Sequence, residues 1–173
     1  MGFGSGLAGL WGMEAVTSIV KKERYYLDTS VWNGIKEPAF ILDTKMFFKM
    51  VSRNRVVCLY SEIVESELVG APGVVNEFFS SMANKYREKV IITDDILRLA
   101  EAYIGEGVVG RTSLKDCIHI AAATVHEADI LVSWNFKHIV NVHRVRGYNS
   151  INTRLGYPIL EIRSPREVLD YAL

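Results

Sequence analysis

The chain is poor in cysteine, has no surplus of either charge and carries no long apolar run. Its two cysteines, Cys58 and Cys117, form no CxxC pair and no spacing that would hold a metal. That excludes a disulfide framework and a thiolate zinc site, and it suits a reducing cytoplasm. Twenty Lys and Arg balance twenty Asp and Glu. No field of the whole molecule therefore draws it to nucleic acid or to a membrane, and any such attraction must come from a local patch. No GxxxxGK[ST] stretch occurs, and the GxGxxG match GSGLAG at residues 4–9 follows no predicted strand, so neither supports a nucleotide-binding loop. The opening MGFGSGLAGLWG is Gly-rich, lacks a basic region and a clear cleavage site, and is too short to span a bilayer. Residues 1–22 are expected to form a flexible or weakly docked N-terminal extension, with no membrane association.

What remains is an ordinary globular composition, 49% apolar and 23% charged over 173 residues, which suits one domain over 23–173. Short apolar stretches alternate with helical patterns. Strands are expected at about 24–28, in RVVCLYS, in VIIT, in DILVS and in PILEI. Helices are expected through AFILDTKMFFKMVSR, SEIVESELV, PGVVNEFFSSMANKYREK, DDILRLAEAYIGEG, SLKDCIHIAAATVHEA, VHRVRGYNSINTRLG and SPREVLDYAL. This order predicts an α/β fold, a three-layer α/β/α sandwich around a central parallel sheet. Ligands of such sheets bind beyond the carboxyl ends of the strands.

Several carboxylates stand where packing alone would not put them. Asp28 ends the first strand, followed by Thr29 and Ser30. Those residue types also cap helices and form turns, so Asp28 alone decides nothing. In SEIVESELVG the apolar stripe is Ile63, Val64 and Leu68, and helical spacing puts Glu67 on it. An unpaired buried carboxylate there costs several kcal/mol, or stays protonated. Asp116 opens the helix SLKDCIHIAAATVHEA on the side of Ile120 and Ala123, away from the stripe Leu114, Ile118, Ala121, Ala122 and Val125. That helix is expected to be covered on both faces. Ser113-x-x-Asp116 also reads as a capping box, which explains why an acid is tolerated but not why its face is apolar. Asn135 ends the strand DILVS much as Asp28 ends the first.

Three carboxylates and an amide at strand ends and helix starts can converge on one cleft, where like charges need a cation. With oxygen donors only, the expected ion is Mg²⁺ or Mn²⁺, whose bound waters would serve phosphodiester hydrolysis.

The motifs YLDTSV, SEIVESELVGAP, LKDCIHIAAA and ILVSWNFKHIVN, in that order over roughly residues 24 to 160, resemble the PIN-domain family, the fold of many VapC-type toxins of toxin–antitoxin pairs. The resemblance maps the family's acids onto Asp28, Glu67 and Asp116 as metal ligands, with Ser30 at the following hydroxyl position. The fourth family position, usually an acid, is Asn135, a poorer ligand that weakens the case for a second metal. The resemblance implies a Mg²⁺- or Mn²⁺-dependent endoribonuclease, an RNA substrate, a cognate antitoxin and a homodimer. A catalytically inactive PIN-fold module that binds RNA or protein is the alternative, and Asn135 is its support. His119, one helical turn beyond Asp116, could orient it or contact substrate, but hydrogen-bonded structural roles are the expectation for both His119 and His138.

Residues 130–160 contain no Asp or Glu but hold Lys137, Arg144, Arg146 and Arg154, interleaved with Trp134, Phe136, Tyr148 and Tyr157. The basic residues are expected to face substrate, since cations neutralise phosphates; Trp134 and Phe136 are expected in the core. A haloacid-dehalogenase-like phosphatase would need an acid where Ser30 stands. A phosphoryl-receiver domain would need an acidic pair at its first strand.

Overall fold

The computed structural model describes residues 21–53 and 56–171. The N-terminal extension expected over 1–22 thus lies almost wholly outside the described residues. A five-stranded parallel sheet runs through the middle: β1 (Glu23–Leu27), β2 (Val56–Ser61), β3 (Arg87–Val90), β4 (Ile130–Val132) and β5 (Glu161–Arg163), in the order β3-β2-β1-β4-β5. Around it pack α1 (Thr29–Asn33), α2 (Ile41–Arg53), α3 (Glu62–Leu68), α4 (Gly73–Ser81), α5 (Asp94–Gly105), α6 (Leu114–Val125), α7 (Val142–Arg154) and α8 (Pro165–Tyr171).

Alternation along the central strand builds both interfaces at once. Tyr25 and Leu27 face one side, joining Trp32, Phe47, Phe48, Cys58, Val64 and Val168. Tyr26 faces the other, joining Leu99, Tyr103, Ile120, Ala121 and Tyr148. Two apolar layers on one sheet give the three-layer α/β/α sandwich. Among the described residues no helix is long and apolar enough to cross a membrane.

Side-chain caps place the starts of three helices. The Thr93 side chain accepts from the Ile96 amide at the start of α5, and Asn141 accepts from the Arg144 amide at the start of α7. At α8 the pair Ser164 and Glu167 forms a reciprocal capping box: the Ser164 amide donates to Glu167 and the Glu167 amide to the Ser164 hydroxyl. Ser113, by contrast, makes no capping bond from its side chain.

Three expectations change. The helix read through PGVVNEFFSSMANKYREK stops at Ser81, where Met82 turns extended. The strand expected in VIIT begins earlier, at Arg87 and ends at Val90. Its sequence, REKV, is polar because β3 is an edge paired only with β2, and ladder pairing outweighs intrinsic preference there. The third change is α1, a five-residue helix that starts directly after Asp28.

Gly34, after α1, has no room for a side chain. A Cβ there would fall on the Thr44 hydroxyl and within 2.8 Å of the Trp134 Nε1. Gly34→Ala is expected to lower stability by about 1–3 kcal/mol through overpacking, measured by chemical denaturation. The variant is also expected to disturb Trp134, whose amide reaches the site described next.

Candidate active site

The chain moves outward from β1 to β2 and β3, then returns to lay β4 on the other side of β1. The crevice of such a sheet opens at that reversal, beyond the carboxyl ends of β1 and β4. Asp28 follows β1; Ser133 and Asn135 follow β4. The Asp28 amide donates to the Val132 carbonyl at 3.1 Å, which stitches the two strand ends together.

Asp28 is 5% exposed and held from one side. Its Oδ2 accepts from the Ser30 hydroxyl at 2.5 Å and from the Ser133 hydroxyl at 2.7 Å. The Ser30 oxygen accepts from the Trp134 amide at 2.9 Å, and the Ser133 oxygen from the Asn135 amide at 2.9 Å. Two serines thus tie the ends of β1 and β4 to a single carboxylate oxygen. The capping option for Asp28 is not used, because its side chain accepts from the Ser30 hydroxyl and from no backbone amide of α1.

On the other side stands His119 of α6, 1% exposed. Its Nε2 lies 3.2 Å from the Glu67 Oε2 and 3.6 Å from the Asp28 Oδ1. Its Nδ1 is 2.9 Å from the Tyr26 hydroxyl, which is 2.8 Å from the Ser61 hydroxyl. Burial pushes the imidazole pKa down. The hydrogen bond to Glu67 and the charges of Asp28, Glu67 and Asp116 outweigh this, and the pKa is raised. The raised pKa favours the imidazolium, in which Nε2 donates to Glu67 and Nδ1 to Tyr26.

Glu67 sits near the end of α3, on the stripe that helical spacing gave it. Burial pushes its pKa up, but hydrogen bonds from His119 and Thr29 and the charges of His119 and Lys115 bring it below the usual value. The Thr29 hydroxyl donates to Glu67 Oε2, and Lys115 Nζ stands 3.7 Å from Oε1.

Asp116 has the opposite environment. Burial and the negative charge of Asp28 push its pKa up, Glu67 adds to this, and His138 and His119 only partly offset it. The Asn135 side-chain amide donates to Asp116 Oδ1 at 3.0 Å, and the Asn135 carbonyl oxygen accepts from the His138 amide at 3.1 Å. All of Cys117 to Thr124 is buried, so α6 is covered on both faces as its pattern predicted.

Four of the five proposed catalytic residues, Asp28, Ser30, Asp116 and Asn135, therefore meet at the crevice, and Glu67 joins them through His119. Among the described residues no group of three or more His, Cys, Asp or Glu is close enough together to form a ready-made cation cage. The reason is visible: Glu67 is drawn onto His119, Thr29 and Lys115, and Asp116 onto Asn135. The donor chemistry still fits a hard divalent cation. The carboxylates supply oxygen alone, and the upward push on Asp116 by its acidic neighbours is a charge stress that a cation relieves.

Ser133, Tyr26 and Ser61 were not foreseen as parts of the site, and for His119 a structural role was preferred over orienting Asp116 or contacting substrate. The one local signal was the spacing of His119, one helical turn beyond Asp116. The basic residues divide. Arg144 donates to the Val108 carbonyl and Arg154 pairs with Glu106. Lys137 and Arg146 are exposed and form no ion pair among the described residues. Trp134 is buried, as expected, and so is Tyr148, but Phe136, expected in the core, is 49% exposed.

Sheet order and layers give a three-layer α/β/α fold of the PIN-like kind. A chain in the crystal structure of VapBC2 from Rickettsia felis bound to a DNA fragment from their promoter shares the fold. Its TM-score is 0.51 at 17% identity, with 82% of this chain and 98% of that chain covered. A chain of a toxin–antitoxin complex from Klebsiella pneumoniae matches with a TM-score of 0.49 at 23% identity, over 65% of this chain and 88% of that one. No protein-family model and no curated protein matches the chain.

Proposed function

We propose that this chain is a divalent-metal-dependent endoribonuclease, the toxin of a pair neutralised by a cognate antitoxin. The observation that carries the reading is the crevice itself: three carboxylates from β1, α3 and α6 act on one another there, and Asp116 is the one driven upward. The shared fold with a VapBC2 chain supports the toxin–antitoxin part, and a homodimer belongs to the same reading. Asp28, Asp116 and Glu67 would hold Mg²⁺ or Mn²⁺, which supplies water activation and charge neutralisation at the phosphate.

The chain's own residues do the rest. Ser30 and Ser133 fix Asp28. Asn135 holds Asp116 by one oxygen, and a carboxylate of the crevice positions or deprotonates the attacking water. His119 anchors Glu67 and keeps two acids from repelling each other before substrate arrives. Lys137 and Arg146 meet the RNA backbone.

The test is cleavage of single-stranded RNA by antitoxin-free protein with Mg²⁺, with Mn²⁺ and with EDTA, beside Asp28→Asn. Cleavage that needs metal and disappears in the variant is the expected result. No cleavage of any RNA, together with a melting temperature indifferent to both metals, would leave the second reading, a non-catalytic binding module. The Asn135 substitution and the absence of a ready-made cage among the described residues favour that alternative.

A further inference from the structure

Beside the crevice, on the far side of β4, lies a cavity of about 360 Å³ that holds none of the crevice carboxylates. Its wall includes Phe136, Val140, Val142, Val145, Arg146 and Ile162. We propose that this cavity is a nucleotide subsite, in which an unpaired base of the RNA lies on the Phe136 ring and the adjoining phosphate meets Arg146 and Lys137. The proposal deepens the ribonuclease reading and rests on it for the identity of the ligand as RNA.

Three independent features carry it. The first is a rigid, exposed aromatic. Phe40 and Trp134 stack at 4.4 Å with their planes 10° apart, and Phe136 leans on this pair at 6.4 and 6.1 Å. Its neighbours are thus fixed while its own ring is half open to solvent, 49% exposed. A solvated phenyl ring on a fixed support is a stacking platform for any base. Val142, 65% exposed, extends the apolar rim.

The second feature is charge. Arg146 and Lys137 have no ion-pair partner among the described residues, and residues 130–160 contain no acid at all. The one carboxylate on the cavity wall, Glu167, is occupied: its Oε2 accepts from both the amide and the hydroxyl of Ser164 at 2.7 Å. A phosphate entering here meets Arg146 on the wall, with Lys137 next to Phe136 in the chain, and an acid already engaged.

The third feature is position. Phe136 directly follows Asn135, whose amide holds Asp116, and the cavity sits on β5, the strand next to β4. A base on Phe136 is therefore a near neighbour of the phosphate at the crevice. A flat ring beside two cations suits a base and its phosphate, whereas an acidic peptide offers carboxylates but no flat group for Phe136.

The experiment measures binding of short fluorescent single-stranded RNA to Asp116→Asn protein, which prevents turnover, with Phe136→Ala and Arg146→Ala added singly. Cleavage by the same two substitutions in the Asp116 background is followed in parallel. Phe136→Ala is expected to weaken RNA binding about tenfold. An abasic residue at one position of the oligonucleotide should reproduce that loss and cost nothing more in Phe136→Ala. Arg146→Ala is expected to weaken binding of all sequences and to flatten the salt dependence by about one counterion. Arg98→Ala, on exposed α5, serves as the charge control and should lose none of it.

If both variants bind and cleave RNA like their parents, the subsite is wrong and the nuclease stands. If the parent cleaves nothing yet binds RNA through Phe136, the subsite stands and the nuclease is wrong. If the variants instead lose only binding of a polyglutamate peptide, the face is a protein interface and the nucleotide subsite is overturned.

Discussion

Asp116→Asn is expected to abolish cleavage and to raise the melting temperature of the metal-free protein. The two effects come from one cause. Burial and the charges of Asp28 and Glu67 oppose ionisation of Asp116. A carboxyl whose folded pKa is raised costs nothing while protonated, and its penalty appears as pH rises through that value. At pH 7 to 8 the neutral amide removes the penalty. It keeps a carbonyl oxygen for Asn135 and loses the charge that the chemistry needs. Removing one preorganised electrostatic group from an active site costs about 10²–10³-fold in rate. RNA cleavage and a thermal melt in EDTA, run on the same samples, check both. A variant that melts lower and cleaves normally would show that Asp116 is only a packing residue.

His119→Ala has the largest expected effect on stability. The imidazole lies between two acids and is almost fully buried. Its removal strands Asp28 and Glu67 facing each other, and breaking a buried pair from one side costs about 3 kcal/mol or more. The loss should depend on pH. The folded pKa of His119 is raised, so its contribution is complete below its unfolded value, about 6.5, and fades as pH rises through the folded one. Glu67, with a lowered pKa, contributes above its unfolded value, about 4.3, and loses that contribution as pH falls through the folded one. The metal-free protein is therefore expected to be favoured by this pair most strongly between those two unfolded values. His119→Ala should flatten the curve above pH 6.5. Urea midpoints across pH 5 to 9 in EDTA test this, and parallel curves for both proteins would rule out a charged His119.

These expectations draw on residues of very different legibility. Asp28 could be read because a short apolar strand ends in an acid and two hydroxyls. Glu67 could be read because it violates the stripe of its own helix. Both are local anomalies, and local pattern is what periodicity reports. The partners that make the site are not local. Tyr26 meets His119 across 93 residues, and Ser133 meets Asp28 across 105. Nothing in SWNFKHIVN says which strand its first serine will face, because that is settled by β4 pairing with β1 in parallel register, Leu27 opposite Val132. The edge strand β3 was obscured for a related reason. REKV has no apolar alternation, and its pairing comes from β2 and from side-chain ties such as Glu88 to Arg24 and Lys89 to Glu65.

The tie between Asp28 and Ser133 also has a bearing on synthesis. A nascent chain can pair β1, β2 and β3 and expose Asp28 while every residue after α6 is still within or ahead of the ribosome. Such a chain has Asp28 without Ser133 to brace it and Asp116 without Asn135. On the proposed reading, all three acids of an RNA-cutting protein are made before the serine and the amide that hold two of them in place. Strand order then acts as a timer: the crevice is complete only when β4 arrives.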